Sequence, residues 1–136
     1  MKKHILSLAA AVVVLAALTP LAVTMSAAEV TCRIPFSFIV NGRTLAPGNY
    51  ALSTQNAVVL VRGDGGSIIA MTNGTSGPAS APKLVFLKTG ERYDLAEIWM
   101  GDGSGREVVM SHNARKFLDH ARAANVKVER IEVAAQ

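Results

Sequence analysis

The sequence has little cysteine, few aromatic residues and no large excess of charge. Cys32 is the only cysteine among 136 residues, so no intrachain disulfide can form and the fold must rely on a hydrophobic core. Aromatic residues make up 5% of the chain. After residue 28 the chain carries 12 basic and 10 acidic side chains, a balance that argues against nucleic acid or another polyanion as a partner.

Residues that could carry chemistry are also few. Beyond residue 28 the histidines are His112 and His120, eight positions apart on a predicted helix and therefore separated by about 12 Å. A metal site needs a spacing of three or four positions. The nucleophile pattern G-x-S-x-G is missing, and residues 103–105 read Gly-Ser-Gly in a predicted turn. We therefore predict no catalytic, cofactor-binding or metal-binding residues, and a protein that is not an enzyme.

Two glycine-rich stretches, residues 63–66 and 101–105, invite comparison with phosphate-binding or calcium-binding loops. Each contains one aspartate, whereas a calcium loop uses several carboxylates at alternate positions. A phosphate loop is followed by a helix, but here the following residues alternate as in a strand. Both stretches are predicted to be turns between strands.

The clearest feature that is present is an N-terminal segment with the order of a secretory signal peptide. Lys2 and Lys3 precede an apolar run over residues 5–18, and Thr19-Pro20 then interrupts it. Small residues follow up to Ala28, which resembles an A-x-A cleavage site. The sequence therefore predicts residues 1–28 to be removed and residues 29–136 to be exported to the periplasm or the extracellular space.

The N-terminal segment and the cysteine that follows it allow two other interpretations. Residues 5–23 approach the roughly 20 positions that a membrane-spanning helix needs. However, Pro20 breaks the run and no basic stop-transfer cluster follows, so we predict no stable membrane anchor after cleavage. Lipid attachment at Cys32 is disfavoured because Thr31 is larger than the residues that lipoprotein processing prefers.

After residue 28 the dominant period is two, which is the period of β-strands. Every even position from Val30 to Val40 is apolar, so one face of a predicted strand is apolar throughout. Pro35 has no N–H, which predicts an edge strand or a bend at that position. Asn41-Gly42 is a turn signal and ends the strand.

The following residues alternate short strands with turns. Pro47-Gly48 predicts a type II turn, and hairpins are predicted around residues 63–66 and around Thr89-Gly90. Near the C-terminus the parity of the apolar positions slips between Val128 and Ile131. This slip predicts a bulged strand or a loosely held tail.

One segment has the helical period. Ser111 is a suitable N-cap, apolar residues follow at helical spacing, and Asn125 can adopt the left-handed conformation that ends a helix. We therefore predict a helix over residues 112–124. Together, the patterns predict a single mainly β domain, either an antiparallel β-sandwich or a partly closed barrel of about seven to eight short strands, with one amphipathic helix near the C-terminus.

Several short motifs resemble those of an uncharacterised family of small exported bacterial proteins. The motifs are Ile34-Pro35-Phe36-Ser37-Phe38, the G-x-x-L-x-x-G-x-Y stretch from Gly42 to Tyr50, Pro82-Lys83-Leu84-Val85-Phe86, and Trp99. The resemblance covers nearly all of the chain after residue 28. It implies a β-rich exported domain with a helical C-terminal region and assigns no catalytic residue.

These observations favour an exported, non-enzymatic binding or structural module of the bacterial envelope or extracellular space, with a macromolecular partner that the sequence does not identify. Residues 73–82 are predicted to form a polar loop of the kind that carries recognition. The alternative is a barrel-like carrier that encloses a small apolar ligand in a cavity lined by Phe36, Phe38, Leu84 and Phe86.

Cys32 allows two interpretations. It shares the apolar face with Val30 and Ile34, which favours burial as a small hydrophobic residue. A lone cysteine in an exported protein can instead link two copies covalently, and a Cys32-linked dimer is kept as the minor alternative.

Overall fold

The computed structural model describes residues 28–136, which form ten β-strands and one α-helix. The predicted signal peptide, apart from Ala28, lies outside these residues. Within them, no helix is long and apolar enough to span a membrane. The strands are β1 Ala28–Ile34, β2 Phe38–Val40, β3 Arg43–Leu45, β4 Gly48–Gln55, β5 Val58–Gly63, β6 Gly66–Ser76, β7 Lys83–Thr89, β8 Arg92–Trp99, β9 Ser104–Val108 and β10 Val128–Ala134, and the helix is α1 His112–Ala123.

The strands form an almost entirely antiparallel sheet in which β6 connects two halves. β1, β4, β5 and the first part of β6 pair in that order. From Thr72 onward β6 pairs with β9, which pairs with β8. β8 also pairs along its length with β7, and β7 pairs with β10. Ile39 of β2 pairs in parallel with Asp94 of β8.

The first and last strands approach each other without forming a continuous ladder. Thr31 and Gln136 exchange two backbone hydrogen bonds of 2.8 Å, while β1 otherwise pairs with β4 and β10 with β7. Over residues 28–136 the mainly β class with one late helix is confirmed, and the sheet is not closed. The expected number of seven to eight strands was too low, because the sheet over these residues contains ten.

The additional strands come from a break in the first predicted strand. Pro35 has no N–H to donate, and the chain bends after it, so the predicted strand becomes β1 and β2. Asn41 and Gly42 then adopt φ of 48° and 78°, a hairpin turn that leads directly into β3. The type II turn expected at Pro47-Gly48 is wrong, since Gly48 does not have a positive φ and begins β4.

The predicted alternation of the first strand is confirmed by burial. Val30, Cys32 and Ile34 of β1 and Phe38 and Val40 of β2 are buried in the core. Phe36, in the bend between the strands, is partly exposed and packs against the core from outside.

The bulge expected in the C-terminal strand lies elsewhere. β10 pairs with β7 over seven consecutive residues without a register shift. The irregularity is in β8, where Ala96 has no partner because Leu95 faces Phe86 and Glu97 faces Val85. One extra residue reverses the side-chain alternation beyond it, so Leu95 and Ile98 both point into the core.

Helix α1 begins and ends as its sequence predicts. The Ser111 hydroxyl accepts a hydrogen bond from the N–H of Ala114. At the other end Asn125 has φ of 57°, its N–H donates to the carbonyl of Arg122, and the N–H of Val126 donates to that of Ala121. These two bonds form a Schellman motif. One face of the helix is buried through Ala114, Leu118 and Ala121.

The predicted polar loop at residues 73–82 is shorter than expected. Residues up to Ser76 belong to β6 and pair with β9, which leaves residues 77–82 as the connection. The N–H of Gly77 donates to the carbonyl of Gly103 at 2.9 Å, and a Cβ at Gly77 would meet the Trp99 ring at 3.1 Å. The connection is therefore fixed against the turn between β8 and β9.

Candidate functional site

The outer face of the β5–β6 hairpin carries large apolar side chains in solvent. Ile69 is 58% exposed and Met71 65% exposed. Ile69 lies opposite Leu60, and Met71 lies opposite Val58. Val109 follows β9 and donates its N–H to the carbonyl of Met71, so its exposed side chain borders the same surface. We call Val58, Leu60, Ile69, Met71 and Val109 the aliphatic patch.

The aliphatic patch follows from two strands that are apolar on both faces. In β6 the inward side chains Ile68 and Ala70 are buried, while the intervening Ile69 and Met71 point to solvent. In β5 the inward side chains are Val59 and Val61. A sheet with one wet face normally alternates apolar and polar residues. The sequence signal for the aliphatic patch is the pair of unbroken apolar runs at residues 57–61 and 68–71, which by themselves predict only strands.

Polar groups surround the aliphatic patch. On the β6 side, the amide of Asn41 donates to the carbonyl of Ile69 at 3.1 Å and Arg43 donates to the carbonyl of Ser67 at 3.4 Å. On the β4 side, Glu29 accepts a hydrogen bond from Ser53 at 3.0 Å and lies 3.6 Å from Arg62. Asn41 and Arg43 cap the backbone edge of β6, so a partner would contact the face of the hairpin. An exposed apolar surface with a polar rim is typical of an interaction site.

The two histidines after residue 28 form no metal site with each other. His112 and His120 are both exposed on helix α1. Among residues 28–136 no group of three histidine, cysteine or acidic side chains is arranged to hold a metal ion.

The two aspartates of the glycine-rich stretches accept hydrogen bonds that stabilise the turns. Asp64 accepts the N–H of Asn49 at 3.1 Å and so ties the β5–β6 turn to the start of β4. Asp102 accepts hydrogen bonds from the hydroxyl and the N–H of Ser104, and these hold the pKa of Asp102 below its usual range. In both cases the carboxylate is engaged by its own chain, as expected for a turn.

The cavity that a carrier would need is filled by aromatic rings. Phe38 and Phe86 pack edge to face with ring centroids 5.6 Å apart, and Phe36 packs against Phe86 at 5.0 Å. Phe38, Leu84 and Phe86 are almost completely buried. The region between these residues is therefore occupied by their own side chains.

Cys32 is 6% exposed, and its thiol donates to the carbonyl of Ala134 at 3.3 Å. Burial raises the pKa of the Cys32 thiol, which lowers the fraction of reactive thiolate at neutral pH. This position agrees with burial as a small hydrophobic residue.

We expect Cys32 in the folded protein to react slowly with thiol-labelling reagents and to react fully after denaturant is added. Cys32→Ser should lower the free energy of unfolding by about 1–3 kcal/mol, because a more polar hydroxyl takes the place of a buried thiol. Labelling kinetics and denaturant melts measure the two effects. Cys32→Ala is the control that removes the thiol without adding a polar group. Rapid labelling of the native protein would contradict burial.

Comparisons of the chain with protein-family models, with curated proteins and with solved structures give no match.

Proposed function

We propose that the chain is an exported, non-enzymatic binding or structural module that contacts another macromolecule of the bacterial envelope or extracellular space through the aliphatic patch. The observation that carries this proposal is the exposure of Ile69 and Met71 beside each other on the outer face of one hairpin. Export is the part of the proposal that rests on the signal-peptide pattern in residues 1–28.

The chemistry of the aliphatic patch favours a protein partner with an apolar surface of its own. Transfer of apolar area out of water contributes roughly 25 cal/mol per Å², so several adjacent aliphatic side chains supply a useful driving force for association. Their polar rim would then exclude water and set the orientation of the partner. A small apolar ligand is a weaker candidate because the interior is filled by Phe38 and Phe86.

The aliphatic patch can be tested by making it polar without disturbing the core. We expect the double variant Ile69→Ser/Met71→Ser to lose most of its ability to capture its partner from the native envelope fraction. Both side chains are more than half exposed, so the thermal melting temperature should change little. A quantitative pull-down with the unaltered protein and the double variant at equal concentration measures the loss.

Val126→Ser is the matched control, since Val126 is also an exposed aliphatic residue but follows helix α1, away from the hairpin. It should retain partner capture at the level of the unaltered protein. Equal capture by the unaltered protein and by Ile69→Ser/Met71→Ser would show that the aliphatic patch is not the binding surface.

A further inference from the structure

Strand β10 has one edge that no other strand covers within residues 28–136. Its inner edge pairs with β7 from Val128 to Ala134. On the opposite side, Gln136 exchanges hydrogen bonds with Thr31, and the carbonyl of Ala134 accepts the Cys32 thiol. Beyond these contacts β1 and β10 form no ladder with each other.

The backbone groups on this edge can be assigned from the strand geometry. In an antiparallel strand, alternate residues point their N–H and C=O groups to opposite edges. The N–H of Ala135 donates to Pro82 at the start of β7, whereas Gln136 bonds to Thr31 on the other side. The backbone N–H and C=O groups of the even-numbered residues of β10 therefore point away from β7. The carbonyl of Ala134 is engaged by the Cys32 thiol, so we call the backbone groups of Val128, Arg130 and Glu132 the free edge.

The sequence of β1 explains why it does not cover the free edge. Continued antiparallel pairing from Thr31 and Gln136 would place Pro35 opposite Glu132. Pro35 has no N–H, and the chain bends there toward β2. An exposed edge of this kind is a template for another strand.

We propose that the free edge pairs with the free edge of a second copy of this chain, as two antiparallel β10 strands related by a two-fold axis at Ile131. In that register Arg130 of each copy lies opposite Glu132 of the other. These are the residues whose backbone groups point outward, so the register satisfies the hydrogen-bonding geometry as well as the charges. Opposite charges that face each other across two strands stabilise the pair.

Charge selects this register over its neighbours. An axis at Arg130 would place the two arginines opposite each other, and an axis at Glu132 would do the same for the two glutamates. Like charges directly opposite are destabilising. Within one copy, Arg130 pairs with Glu97, and Glu132 lies 3.0 Å from Lys83. The dimer would extend these two pairs into one network of alternating charge across the interface.

The second copy is a different partner from the one proposed for the aliphatic patch. Along the paired strands, β7, β8, β9 and β6 lie between β10 and β5, so the two surfaces are separate. A contact between identical edges is self-complementary and closes as a dimer. The two proposals can therefore fail independently.

Charge exchange at Arg130 and Glu132 tests the dimer. Sedimentation velocity of the exported protein over a range of concentrations, in the presence of reductant, should show a reversible dimer. Arg130→Glu and Glu132→Arg should each raise the dimer dissociation constant roughly tenfold or more, because every cross-strand pair becomes a like-charge pair. An equimolar mixture of the two variants should form a heterodimer, and Arg130→Glu/Glu132→Arg should restore self-association.

The melting temperature of each variant provides the control for folding, since Arg130 and Glu132 are exposed. A protein that stays monomeric at its highest soluble concentration would overturn the proposal. So would a dimer that reductant abolishes, which would indicate a Cys32 link, or a dimer that the single charge changes leave equally strong.

Discussion

Phe38→Ala should lower the free energy of unfolding by about 3–5 kcal/mol, as for other buried phenylalanines. Phe38 is 1% exposed, and its ring packs edge to face against Tyr50 and Phe86 with centroids 5.0 Å and 5.6 Å away. Removal of the ring leaves a cavity between three strands that cannot collapse without moving paired backbone. Urea denaturation monitored by circular dichroism measures the change.

Two neighbouring positions supply the controls for Phe38→Ala. Ser37 is exposed, so Ser37→Ala should leave stability nearly unchanged. Phe36→Ala should cost less than Phe38→Ala, because Phe36 is partly exposed although it stacks on Tyr93 with centroids 3.8 Å apart. If Ser37→Ala were as damaging as Phe38→Ala, the inward and outward faces of this segment would be assigned wrongly.

Gly63→Ala should lower the free energy of unfolding by about 3 kcal/mol, at the upper end of the effect expected for overpacking. A Cβ at Gly63 would lie 2.2 Å from the carbonyl oxygen of Asn49 and 2.5 Å from an atom of the Tyr50 ring. Asn49 is held in the β1–β4 ladder, and the Tyr50 hydroxyl donates to the carbonyl of Ala46. Neither neighbour can move away without breaking a hydrogen bond or a packing contact.

Gly74→Ala is the matched control in the next strand. The nearest atom to its Cβ would be the end of the flexible Arg106 side chain at 3.5 Å, which is an ordinary contact. We expect Gly74→Ala to be close to neutral, with both variants compared by the same urea denaturation. A larger loss for Gly74→Ala than for Gly63→Ala would contradict the packing of the hairpin turn on Tyr50.

The local part of the fold could be predicted from the sequence because each signal acts within a few residues. The alternation from Val30 to Val40 gave the buried face, and Ser111 and Asn125 gave both ends of the helix. The β8 bulge could not be read in this way. Ala96 is left unpaired where β8 pairs with β7 on one side and with β9 on the other, which is a tertiary effect.

The aliphatic patch was only partly predictable. The apolar runs around Leu60 and Ile69 are visible in the sequence, but such runs are also typical of strands that are buried on both faces. Which face of these strands is covered depends on how their inner side chains pack against the rest of the core, which is a tertiary effect. The free edge of β10 depends likewise on where β1 bends, and the effect of Pro35 on a strand almost one hundred positions later has no local signature.

The hydrogen bonds between Thr31 and Gln136 also bear on how the chain folds. They join opposite ends of the described residues, so the loop that they close contains nearly the whole domain. Closing so long a loop costs conformational entropy before the stabilising contacts have formed. Sheets rich in pairings between distant residues therefore fold slowly, commonly in milliseconds to seconds. We expect this closing pair to form late, after the local hairpins. Until then the facing residues of β1 and the end of β10 are also exposed to other chains, and the time spent in that state is when aggregation competes with folding.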